Sequence, residues 1–242
     1  MQYSVWNGFK RVDFEFDGKA AIVVFPENAN EEKSWLIKTE YFDAFPEVEI
    51  EMLKRGWHLA YVENNNRWCV GDADIDRKAA FSKYVIENFG LSEKCVPVGM
   101  SCGGMIAVKF AAKYPDLISA IYLDAPVMNY LSCPAHVGHT NDFGRMAEFT
   151  GFTGMTISDL LSYRDHPIDK MHVLLENSLP IILIYGDSDE IVPYHENGAL
   201  LEKYYKENGG VIVAIGKAGC GHHPHSLPDN TPIIEFIEKY GK

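Results

Sequence analysis

The sequence predicts an α/β protein, and three observations carry that reading. Short apolar runs with strand character alternate with amphipathic stretches of helical spacing through most of the chain. One run, residues 20–25, is apolar at nearly every position, as expected of an interior strand covered by helices on both faces. A Gly-x-Ser-x-Gly pentad at 99–103 stands between a strand pattern and a helix pattern.

The elements follow in order. Strands at 5–9 and 12–16 open the chain, and Asp17 with Gly18 turns it into the strand at 20–25, which Pro26 ends. Residues 27–34 are polar and read as a loop. Residues 41–55 space Phe42, Phe45, Val48, Met52 and Leu53 as a helix does, with Gly56 as the stop. A strand at 58–62 and a helix at 79–89, closed by Gly90, come next. The rhythm repeats with a strand at 95–98, a helix at 105–114 ended by Pro115, and strands at 118–123 and 181–185. A helix at 200–207, a strand at 211–215 and a helix at 233–240 complete it. Such alternation implies right-handed crossovers and a mostly parallel central sheet with helices on both faces, led in by antiparallel strands.

Across residues 126–178 the alternation lapses. Weak helical patterns at 143–149 and 157–163 sit among aromatics and the histidines His136, His139, His166 and His172. A stretch of about fifty residues is too long for a plain connection, so it reads as a small helical cap over the carboxyl edge of the sheet. With no repeat and no linker composition, residues 1–242 are expected to form a single domain carrying that cap insertion.

Composition narrows the function. The formal net charge of -12 disfavours nucleic acid and anionic membrane surfaces as partners. No apolar stretch approaches the roughly 18 residues of a spanning helix, and the N-terminus lacks the apolar run of a signal peptide. The five cysteines are scattered without C-x-x-C spacing, against a disulfide framework and a zinc site, so a cytoplasmic protein is expected.

The chemistry is carried by Gly99-Met100-Ser101-Cys102-Gly103. In a strand–turn–helix setting the serine occupies a strained elbow with its hydroxyl beside the free N–H groups of the helix N-terminus. Gly99 and Gly103 would avoid collisions where the turn doubles back. A serine hydroxyl needs a base and an orienting carboxylate, which in this architecture follow later strands in the order acid, then histidine. The acid falls in 186–193, with Asp187 and Asp189 as candidates, and the histidine in 219–225, with His222, His223 and His225. Asp124, at the end of an earlier strand, is a further candidate acid, though a role capping Ala125 and Pro126 suits it better. The three clustered histidines have poor spacing for a tetrahedral metal and no companion ligand, so no metal is expected.

From Val12 to its end the chain resembles the α/β-hydrolase family, on Gly99-Met100-Ser101-Cys102-Gly103, Gly186-Asp187-Ser188-Asp189-Glu190-Ile191-Val192-Pro193 and Gly219-Cys220-Gly221-His222. Within that family it is similar to a bacterial subgroup of esterase-like hydrolases that shares the Gly-His-His-Pro-His-Ser-Leu tail at 221–227. The resemblance implies an α/β-hydrolase fold and a triad of Ser101, Asp189 and His222. Asp189 is implied because the family's acid segment has the form Gly-x-x-Asp-x-x-Val-Pro. His223 and His225 then read as residues that pack the loop and fix His222. No cofactor is implied.

The oxyanion hole needs two donors, each worth about 2.7–4 kcal/mol of transition-state stabilisation. One is the backbone N–H of Cys102. The other is expected after the strand at 20–25, just before the helix at 41–55; the usual His-Gly motif is absent there, which leaves the donor open, with the backbone of Tyr41 or Glu40 as the candidates. Glu40 is a substrate-binding candidate, with a helix N-terminal role as its plainer reading. Trp68 is a second candidate, among Asn64, Asn65, Asn66, Arg145, Phe143, Phe149 and Tyr163 at the expected rim. Cys102 reads as a packing side chain. The expected activity is hydrolysis of a small acyl ester of a polar alcohol, such as a sugar. Acyl transfer or lyase chemistry by the same triad, and a non-catalytic binding module, are the alternatives.

Overall fold

The computed structural model describes residues 1–137 and 144–242. Two tight hairpins start the chain. Strand β1 (Gln2–Trp6) turns into β2 (Phe9–Phe16) at Asn7 and Gly8, with φ of 48° and 87°. Strand β2 turns into β3 (Lys19–Phe25) at Asp17 and Gly18, with φ of 52° and 71°. Both pairs are Asx-Gly dipeptides, which tolerate the left-handed conformation that a two-residue hairpin needs. The expected strand at 5–9 is therefore split by Asn7 and Gly8, a turn signal of the same kind as the one read at Asp17 and Gly18.

The sheet has nine strands in the order β1-β2-β3-β5-β4-β6-β7-β8-β9. Its first three pairings, β1 with β2, β2 with β3 and β3 with β5 (His58–Val62), are antiparallel. The rest of the sheet is parallel: β4 (Trp35–Lys38), β6 (Val96–Met100), β7 (Ile121–Asp124), β8 (Ile181–Gly186) and β9 (Ile212–Lys217). Strand β4 lies between β5 and β6 and was not expected from sequence. It is four residues long and buried at all four, so it shows no alternation.

Helices cover both faces. Helix α2 (Ala73–Phe89), α3 (Cys102–Lys113) and α7 (Gly198–Glu207) bury Phe81, Val85, Ile106, Phe110 and Leu201 in one cluster. Helix α1 (Glu47–Lys54) and α8 (Thr231–Tyr240) bury Val48, Met52, Ile233 and Ile237 in the cluster on the other face. Helix α1 is shorter than the spacing of 41–55 suggests. Its N-cap is Pro46, and Tyr41 and Phe45 have φ of 55° and 47°, so residues 41–46 form a turn that no helix can include.

Between β7 and β8 the described residues form α4 (Gly144–Thr153), α5 (Ile157–Ser162), a short 3₁₀ turn and α6 (Met171–Glu176), with no strand among them. His139 and Phe143 lie outside the described residues. Two polar clamps fix this insertion. Lys109 of α3 pairs with Asp165 at 2.6 Å, and Asp165 also pairs with Lys170 at 2.6 Å. Asn197 accepts from the N–H groups of Met128 and Asn129 and donates to Ser132 Oγ and the Pro193 carbonyl, which uses its amide fully. Among the described residues no helix is long and apolar enough to cross a membrane.

Candidate active site

Strand β6 delivers the chain into Ser101, whose φ of 51° and ψ of -120° is a backbone state that a side chain tolerates only when its surroundings impose it. The surroundings are identifiable. Ser101 N–H donates to the Asp124 carbonyl at 2.9 Å, and the Ser101 carbonyl accepts from Gly104 and Val127 at 3.0 Å each. A Cβ at Gly99 would stand 2.7 Å from the Gly103 carbonyl oxygen, and one at Gly104 would stand 2.4 Å from Pro126 Cβ. At Gly103 the nearest atom would be Thr39 Oγ1 at 3.1 Å. The tightest requirements for glycine thus fall on 99 and 104, whereas the pentad pointed to 99 and 103.

Ser101 Oγ lies 3.0 Å from His222 Nε2, and His222 Nδ1 lies 2.7 Å from Asp189 Oδ2. A carboxylate can only accept, so Nδ1 carries the hydrogen and Nε2 accepts from the serine hydroxyl. The other Asp189 oxygen accepts from the N–H groups of Ile191 and Val192, both at 2.9 Å. Burial opposes ionisation of Asp189. The hydrogen bond and charge of His222, with those two N–H groups, outweigh it and hold the carboxyl below its ordinary range. The serine, the imidazole and the carboxylate are therefore lined up across three separate loops of the sheet's carboxyl edge.

The other candidate acids have different partners. Asp187 accepts from Gly219 N–H at 2.7 Å and so clips the loop after β8 to the loop after β9. Asp124 is buried and accepts from His225 Nδ1 at 2.9 Å and from Ser226 N–H at 2.5 Å. It holds the histidine loop rather than capping Ala125 and Pro126, a correction to the sequence reading. His223 stacks on Phe45 at 5.5 Å between centroids, and His225 meets the same ring edge-on at 5.2 Å. Ligand atoms of His222, His223 and His225 lie within 4.8 Å of one another, but a metal there would compete for the nitrogens that Ser101, Asp189 and Asp124 engage.

Residues 39–41 lie directly against the elbow, since a Cβ on Gly103 would also meet Glu40 Cβ at 3.2 Å. This segment follows β4, not the strand at 20–25 as expected, because β4 intervenes. The Tyr41 hydroxyl lies against the buried Cys102 thiol. Burial pushes that thiol up to about 11, so it stays protonated at neutral pH and packs as a small apolar group. The Glu40 carboxylate accepts from Asn64 Nδ2, and α1 starts too late for Glu40 to cap it.

A cavity of about 280 Å³ opens on Ser101 and His222. Tyr41, Trp68 and Arg145, all expected from sequence, line it, while Glu40 does not. Arg67 and Cys133 also line it and were missed. Their signal was position: residues just past the carboxyl ends of β5 and β7 must lie at the edge where such folds place ligands.

A family model described as alpha/beta hydrolase fold matches residues 71–162. No curated protein sequence matches the chain. Among solved structures the chain is similar to Pyrococcus horikoshii acylaminoacyl peptidase, with a TM-score of 0.73 at 17% identity over 97% of this chain and 42% of that one. The chain therefore spans less than half the length of that peptidase. It is also similar to Est1E from Butyrivibrio proteoclasticus, with a TM-score of 0.65 at 17% identity over 95% of this chain and 98% of that one. A lipase (lip1) from Acinetobacter baumannii AYE gives a TM-score of 0.61 at 14% identity, over 96% and 92% of the two chains. The sheet order, the elbow and these likenesses define one class: the chain has the α/β-hydrolase fold.

Proposed function

We propose that the protein is a serine hydrolase that cleaves a small carboxylic ester of a polar alcohol, such as a sugar, through an acyl-enzyme. The observation that carries this reading is the unbroken chain from Ser101 Oγ through His222 to Asp189, opening on a cavity. Ser101 Oγ attacks the acyl carbon while His222 Nε2 takes its proton, and Asp189 keeps the imidazole in the required tautomer. The oxyanion is received by the N–H of Cys102, at the first residue of α3, and by that of Tyr41. His222 then returns the proton to the departing alcohol oxygen. Water, deprotonated by His222, attacks the acyl-enzyme and releases the free acid. No cofactor takes part in this scheme. The modest cavity volume favours a short acyl group.

A peptidase reading draws on the fold likeness to acylaminoacyl peptidase. One experiment covers both. Hydrolysis of p-nitrophenyl acetate and butyrate, and of matching p-nitroanilides, is measured for the wild type and Ser101→Ala, with a fluorophosphonate followed by mass spectrometry. Ester turnover and labelling that both vanish in Ser101→Ala are expected, with anilides slower. A folded wild type that neither turns over nor labels would remove the hydrolase reading and favour a binding module.

A further inference from the structure

We propose that Arg67 and Arg145 form an anion-binding subsite in the cavity, selecting a substrate that carries a carboxylate close to the scissile ester. This deepens the reading of the site as an esterase and rests on it. The charge pattern is the first argument. The chain has 34 acidic against 22 basic residues, yet the described lining of the cavity contains two arginines and no carboxylate. An acidic protein that concentrates cations around its candidate nucleophile attracts anions there against its own mean field.

The second argument is how the Arg67 guanidinium is held. Its carbon sits 5.2 Å from the Trp68 ring centroid, and Nη2 donates to Glu148 of α4. Trp68 is itself fixed edge-on against Phe149 at 5.7 Å. A guanidinium has five N–H donors in a planar fork, and Glu148 takes one of them. A fork braced by an aromatic face and one carboxylate keeps donors for a second carboxylate at little further cost in side-chain entropy.

The third argument is where the charges act. Arg67 favours the ionised forms of Tyr41 and Cys102, and Arg67 and Arg145 both do so for Cys133, although burial dominates all three groups. Cys102 is the residue after Ser101, so the Arg67 charge is felt beside the serine, against those of Glu40 and Glu148, while the Arg145 charge is felt at Cys133 in the wall of the same cavity. The small cavity limits the distance between ester and carboxylate to a few carbon atoms.

The anion can enter on the acyl side or with the leaving group, and the test separates them. Mono-p-nitrophenyl glutarate is compared with p-nitrophenyl pentanoate, and 4-acetoxybenzoate with phenyl acetate, in the wild type, Arg67→Gln, Arg67→Lys, Arg145→Gln and Glu148→Gln. In one of the two pairs the anionic-to-neutral ratio of kcat/KM should fall at least tenfold in Arg67→Gln and Arg145→Gln, mostly through KM. Arg67→Lys should recover part of it, and Glu148→Gln, which frees the fork, should raise it. Glutarate binding to Ser101→Ala, read by calorimetry, reports the subsite without any turnover and should be lost on adding Arg67→Gln. Ratios unmoved in both pairs, or absent glutarate binding, would overturn the subsite while leaving ester hydrolysis intact. Arg67-dependent glutarate binding without ester hydrolysis would keep the subsite and sink the esterase reading.

Discussion

At the scale of single residues, the site separates three aspartates, Asp124 and Asp189 buried and Asp187 exposed, by what each touches. Asp189 alone meets His222, Asp187 holds the Gly219 N–H, and Asp124 holds His225 and Ser226. Replacing Asp189 by Asn keeps the shape but turns an acceptor towards the imidazole into a possible donor, favouring the wrong tautomer. We expect Asp189→Asn to lower kcat on the order of 10⁴-fold, and Asp187→Asn to lower it less than tenfold, since only a loop contact is lost. Steady-state kinetics on one activated ester decide it; equal losses would mean that the carboxylates share the task. Much of this was legible from the order serine, acid, histidine after successive strands. The roles of Asp124 and Arg67 were not, because each depends on a partner far away in sequence, His225 and Glu148 respectively.

At the scale of elements, the turn at 41–46 is held by an ion pair that lies entirely inside the protein. Lys38, the last residue of β4, reaches Glu49 in the first turn of α1, donates to the Ala44 carbonyl at 3.1 Å and touches Met100 Sδ at 3.4 Å. Both side chains are fully buried, so removing one charge strands the other in a medium that solvates it poorly. Glu49→Gln should cost about 3–5 kcal/mol in urea unfolding, and the double change Lys38→Met with Glu49→Leu should be more stable than Glu49→Gln alone. A double variant no better than the single would show that the pair is worth more than its desolvation. This element was the least legible part of the fold. A four-residue strand buried throughout has no period to detect, and a lysine at its end reads as surface until the glutamate eleven residues on is known to face it. The hairpins and crossover helices were legible because Asn-Gly, Asp-Gly and 3.6-residue spacing are local signals.

At the scale of the whole molecule, acid stability depends on groups the sheet takes out of water. His58 starts β5, is 5% exposed and has no partner for Nδ1 among the described residues, with the Phe25 ring edge-on at 5.7 Å. Burial, with a smaller contribution from the charge of Lys33 and against a hydrogen bond with Ser34, lowers it from 6.5 to about 4. Between those values the unfolded chain binds a proton that the folded chain refuses, so stability falls as pH drops through 6.5 and levels off below about 4. Asp189 adds a loss in the same direction at lower pH, because its folded carboxyl must be protonated below the ordinary range. Relief of repulsion among the excess acidic groups acts the other way, but any variant that keeps the surface shares both effects. His58→Leu removes only the histidine contribution. Denaturant unfolding at pH 7 and pH 4 should show the wild type losing on the order of 3 kcal/mol more than His58→Leu over that interval. Parallel losses in the two proteins would mean that His58 gains a proton in the folded state without cost, and that the sheet opens to water at the amino end of β5.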